Sequence, residues 1–178
     1  MKKIFLVAAV AMMVAGCGFM KNSTSSNAQT TTQTTTTTNA STDTNAAMTA
    51  GQGAGNALMN LYKQYKADGN KYDYKNMQNA LNAVTLVANC EGLKDNFKNT
   101  TYLKEFGKGL VASSLGLVTQ DNVQTVTNSL VDMVKNSDTV QNASQTLQNS
   151  ANTAASYANT ASQYAGAIST LLGAFAGK

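Results

Sequence analysis

The feature that most constrains this chain lies near its carboxy end. Val140, Ala143, Leu147, Ser150, Ala154, Tyr157, Ala161, Tyr164, Ile168, Leu171 and Phe175 are separated alternately by three and four residues. That rhythm places them all on one stripe of an α-helix, the heptad seam of a coiled coil. In sevens from Gln141 the segment reads QNASQTL, QNSANTA, ASYANTA, SQYAGAI, STLLGAF. Its polar face is Asn, Gln, Ser and Thr, which offers no charge code for choosing a partner. Those residues are weak helix formers, and a lone helix in water is marginal, so the segment must pack on something. Drawn as one helix from Thr139 it would be about 57 Å long at 1.5 Å per residue. The expectation is one long helix whose apolar end, Ile168 to Phe175, packs on the rest of the chain or on a copy of itself. A break near Gln148–Asn152 with fold-back is the alternative, as is partial disorder when alone. The seam offered to a partner would be Leu147, Ala154, Tyr157, Ala161, Tyr164, Ile168, Leu171 and Phe175.

Upstream, apolar residues also recur at helical spacing. Leu58, Leu61, Tyr62 and Tyr65 predict a helix that stops near Asp68-Gly69, where glycine can take a left-handed cap. Asp73 is the expected N-cap of the next, with Met77, Leu81, Val84 and Ala88 as its stripe and Glu91-Gly92 as its end. A third starts near Thr100 or Thr101 with Leu103, Phe106, Leu110 and Leu117, weakened by Gly107, Gly109 and Gly116. Thr119 or Asp121 caps a fourth, carrying Val123, Val126, Leu130, Met133 and Val134. No segment shows the two-residue alternation of a strand. The predicted class is all-α: a bundle of about four short helices plus a long Ala-rich C-terminal helix, preceded by a disordered tether.

The amino end reads differently. "MKK" is followed by twelve apolar residues, Ile4 to Ala15, too few to span a bilayer core. A basic start, a short apolar run and small residues at its end make a secretory signal. "VAGC", Val14 to Cys17, resembles the lipobox of bacterial lipoproteins. The resemblance implies lipid on the Cys17 thiol, cleavage before Cys17 and acylation of the new amino terminus. One acyl chain binds membranes marginally and stable anchoring needs two or more, which this modification supplies. Gly18 stands where an inner-membrane retention aspartate would be, and no acidic surface-export cluster follows. Both absences imply an outer-membrane site facing the periplasm.

Residues 22–50 are low complexity, and "TTTQTTTTTNASTDTN" holds no large apolar side chain. Such a tract cannot bury enough surface to offset the entropy of ordering and is expected to be a flexible linker. About 33 residues from Cys17 to Gly51 would reach roughly 30 Å on average and about 110 Å when extended. "GQGAG", Gly51 to Gly55, is expected to end that linker, since it lacks the lysine of a phosphate-binding loop. The expected divisions are therefore 1–16 signal, 17–50 lipidated linker, 51–138 helical domain and 139–178 heptad helix.

Composition excludes several chemistries. The chain has no histidine, proline or tryptophan, and its thirteen basic residues are all lysine. Without Lys2 and Lys3, eleven lysines face nine acids, a net charge of +2. That, with no arginine, does not suggest nucleic-acid binding. Ser-His-Asp catalysis is impossible, and no GxSxG or SxxK occurs. Cys90 is the one thiol left if Cys17 carries lipid; without a base it reads as a small buried residue. "DGNKYDY" from Asp68 resembles a calcium loop, but Asn79 stands where its bidentate acid belongs. No cofactor or metal is expected. Two clusters interleave aromatic residues with lysines, Tyr62–Lys75 and Leu93–Gly109; the first could meet sugars or anionic head groups, and ordinary helix junctions account for both.

The expectation is a non-enzymatic envelope lipoprotein, a helical interaction module tethered by lipid on Cys17, whose partner is itself or another envelope protein. Lipobox, Thr/Asn tract and small helical domain together resemble uncharacterised lipoproteins of Bacteroides-type bacteria. That resemblance brings Asp138-Thr139-Val140 as an O-glycosylation pattern. A terminal lysine after an Ala-rich heptad segment resembles the major murein lipoprotein, which implies peptidoglycan attachment through Lys178; "AGK" lacks that family's Tyr-Arg. A binding module for an apolar or glycan ligand is the remaining alternative.

Overall fold

A computed structural model describes residues 40–135, 137, 140–149 and 153–177, with side chains from residue 44 onward. All described residues belong to one compact unit that begins at Thr38. Among them are seven helices and no strand: α1 (Ala40–Ala67), α2 (Met77–Asn89), α3 (Glu91–Asn96), α4 (Thr100–Ser113), α5 (Val123–Val134), α6 (Val140–Gln148) and α7 (Ala154–Ala176). The fold is the predicted all-α bundle, with three differences in its parts.

The first difference is at the linker. Helix α1 begins at Ala40, so the last eleven residues assigned to the tether are helical, and Ala47 is fully buried. "GQGAG" lies in the middle of this 28-residue helix, with Gly51, Ala54 and Gly55 buried. The reason is α4, which crosses α1 at backbone distance. A β-carbon on Gly51 would overlap the Phe106 carbonyl, and one on Gly109 would overlap that of Met48. One on Gly55 would stand 2.8 Å from the Leu110 carbonyl oxygen. Glycines four apart let two helices approach this closely; the loss of helix propensity is offset by the contact. The Ser113 hydroxyl shares its proton between the Gln52 carbonyl at 2.8 Å and the Gly109 carbonyl at 3.0 Å.

The second difference is at the caps. Asn76, not Asp73, caps α2: its Oδ1 accepts from the N–H groups of Gln78 and Asn79 at 2.9 and 3.2 Å. The Asp73 carboxylate instead accepts from the Lys75 N–H within the preceding turn. Asn99 caps α4 by accepting from Tyr102 N–H at 3.1 Å. Asn122, rather than Thr119 or Asp121, precedes α5, and its Oδ1 accepts from Thr119 N–H. Helix α2 ends at Asn89 rather than at Glu91-Gly92, and a short helix, α3, follows where none was expected. Helix α4 ends at Ser113, so Leu117 falls outside it. After α1 the chain does turn as expected, through Gly69 and Asn70 at φ 68° and 63°.

The third difference is the tail. The single long helix from Thr139 is replaced by α6, which ends at Gln148, and α7, which begins at Ala154, so the fold-back alternative holds. Asn149 and Thr153 flank the break, residues whose side chains compete for backbone hydrogen bonds and favour caps over helix interiors. Both helices pack on α2, which also packs on α1. Hydroxyls pin this hairpin: Thr146 and Thr160 meet at 3.3 Å, Ser137 meets the Tyr164 hydroxyl at 2.9 Å, and Ser144 donates to Glu91. The common core includes Leu58, Leu61, Leu86, Phe106, Leu130, Ile168 and Leu172, all fully buried.

Candidate functional site

The seam is turned inward. Ala161, Tyr164, Ile168, Leu171 and Phe175 of α7 are buried in the chain's own core, Leu147 and Tyr157 are half-buried, and Ala154 is exposed on the first turn. The stripe read as a surface for a partner is thus covered by α2, with α1, α5 and α6 also touching α7. Periodicity marks a buried stripe; it does not say whose surface buries it. Cys17, Thr139 and Lys178 lie outside the described residues.

Cys90 closes α2 and is fully buried. Burial pushes its thiol well above its ordinary value, so the protonated form dominates and the folded chain presents no thiolate. Among the described residues no three His, Cys, Asp or Glu side chains gather to hold a metal ion.

The two lysine-rich clusters lead to two grooves. From the first, Tyr62, Lys63 and Lys66 join Met59 along the last turns of α1. Leu115, Gly116 and Leu117 join them after α4, and Phe175 near the end of α7. The cavity measures about 520 Å³. Tyr62 and Phe175 meet edge to face, with ring centroids 6.2 Å apart. The other tyrosines of that cluster, Tyr65, Tyr72 and Tyr74, pack in or against the core. Tyr65 is buried. The Tyr72 hydroxyl is buried with no hydrogen-bond partner among the described residues, and burial, then the Asp73 charge, raises its pKa.

From the second cluster, Thr100, Leu103, Lys104, Gly107 and Lys108 of α4 face Gln120, Val123, Gln124, Thr127 and Asn128 on and before α5. This cavity measures about 450 Å³. Its polar walls are amides and lysines, and Lys108 is paired with Glu105 at 2.7 Å. At its base the Thr127 hydroxyl is buried without a hydrogen-bond partner among the described residues, beside the bare backbone of Gly107. Of that cluster's aromatic residues, Tyr102 and Phe106 are buried, and Phe97 is 41% exposed with the Lys98 ammonium 5.4 Å from its ring centre.

Sequence reading missed Leu115 and Phe175 as groove residues. Leu115-Gly116 did hold a signal: a glycine after the last stripe residue of a helix marks a left-handed C-terminal turn. Phe175 held none, because its role depends on three helix ends meeting. No protein-family model, curated protein or solved structure matches this chain.

Proposed function

We propose that the chain is a non-enzymatic lipoprotein of a bacterial cell envelope, a helical interaction module tethered by lipid on Cys17 to the outer membrane and facing the periplasm. The observation that carries this reading is "VAGC" at the end of a twelve-residue apolar run with a basic start. Lack of histidine and the buried, protonated Cys90 support the non-enzymatic part.

The partner surface of this module is not the heptad seam, because reaching Ala161 to Phe175 would require lifting α7 from α2. The two lysine-edged grooves favour a binding role, and they supply the contact surfaces in its place.

The test is metabolic labelling with an alkyne fatty acid in a bacterial host. The natural chain takes the label and fractionates with membranes. Cys17→Ser takes none. An unlabelled natural chain, or equal labelling of the variant, overturns the reading.

A further inference from the structure

One end of the bundle carries a feature the core does not require. Leu115 is 75% exposed, while the next most exposed large apolar side chain among the described residues, Met77, is at 44%. Leu115 also sits at φ 49°, in the left-handed region that side chains disfavour, and Gly116 follows at φ 85°. The turn is firmly held. The fully buried Ser114 hydroxyl accepts from Val118 N–H at 3.0 Å, and Leu117 N–H donates to the Ser114 carbonyl at 3.0 Å. A strained residue kept in place by its surroundings is a pointer to use.

Beside this leucine runs the groove of Met59, Tyr62, Leu117 and Phe175, edged by Lys63 and Lys66. No carboxylate lines it, and neither lysine has an ion pair among the described residues. Lys66 lies in the last turn of α1, where it also offsets the helix dipole; Lys63 and Leu115 have no such account. The groove is more open than enclosed, whereas a small-molecule site encloses most of its ligand. A projecting leucine, an amphipathic tyrosine and two flexible ammonium groups instead match an anionic interface, where apolar tips enter the acyl boundary and lysines meet phosphates. A second copy of this chain, itself net positive, is the poorer match to these lysines.

We propose that this end of the bundle, formed by Met59–Lys66, Leu115–Leu117 and Phe175, docks on an anionic lipid surface with Leu115 as its inserted tip. The proposal deepens the tethered-module reading by naming what the module meets. Its test needs no acyl chain on the protein, so the two can fail separately. The chain has no tryptophan. Leu115→Trp in the full chain carrying Cys17→Ser therefore gives a single reporter. With phosphatidylglycerol vesicles its emission shifts to the blue and is quenched by brominated acyl chains. Phosphatidylcholine vesicles, or high salt, remove the effect. Lys63→Gln and Lys66→Gln each weaken binding about fivefold. Phe97→Trp, in the same background, stays unquenched and so separates docking of this face from insertion of the apolar leader. Absence of quenching at position 115, or equal quenching at position 97, overturns the proposal. So does a blue shift that depends on protein concentration without vesicles, because a second copy then covers the face.

Discussion

Two helix pairs in this bundle are built on opposite principles. Where α1 crosses α4, Gly51, Gly55 and Gly109 remove the side chains and the backbones touch. Where α6 folds against α7, alanines, tyrosines and threonines remain, and the Thr146–Thr160 hydroxyl pair bridges the gap. The first pair tolerates no added atom. The second relies on filled volume on one side and is open on the other, where Gly166 has nothing within 4 Å. Glycine therefore means two different things in one chain: a seat for a neighbouring helix at 51 and 109, and an unoccupied position at 166.

Substitutions break or sharpen this contrast. The largest effect is expected on the filled side of α7. Ile168→Ala empties a fully buried site and should cost about 3 kcal/mol, lowering Tm by roughly 10 °C in thermal unfolding. At the crossing, Gly51→Ala should lose about 2 kcal/mol in urea unfolding, despite alanine being the better helix former. A stabilised Gly51→Ala would mean that α4 lies further from α1 than described.

The next prediction concerns α2, which touches both pairs. Cys90 at its end has an ordinary pKa of 9.0, raised by burial in the folded chain. Above pH 9 the unfolded chain releases this proton and the folded chain keeps it, so stability is intact below pH 9 and falls above it. The slope approaches about 1.4 kcal/mol per pH unit. Tyr72, ordinarily at 10.0 and also raised, steepens the fall from pH 10. Cys90→Ala should flatten the curve between pH 9 and 10, and an equally steep variant would show that the thiol is not the source. The smallest effect has the opposite sign. Gly166→Ala should stabilise by about 0.7 kcal/mol, since it adds helix propensity and meets nothing.

The same contrast explains what could be read from residue order. Helices α2, α4, α5 and the body of α1 followed from apolar spacing, because each buries one face and that face repeats every three or four residues. Glycine spacing in α1 could not be read so, since a linker glycine and a crossing glycine are identical until the second helix is in place. Cap positions slipped at two helices because Asn76 and Asn122 compete with nearby Asp and Thr for the same N–H groups, whereas α4 starts at Thr100 as expected. The heptad seam was legible as a buried stripe, but not its owner. Of the lipid-docking face, the tyrosine and lysines stood together in sequence, while Leu115 and Phe175 arrive from two other helix ends.

The α1–α4 crossing also sets an order for assembly. Helix α1 is complete at Ala67, yet the partner that fits its glycine face is complete only at Ser113. For an exported chain, which emerges from the membrane amino end first and folds there, the longest described helix arrives before its closest neighbour, whereas α7 arrives with α2 already present.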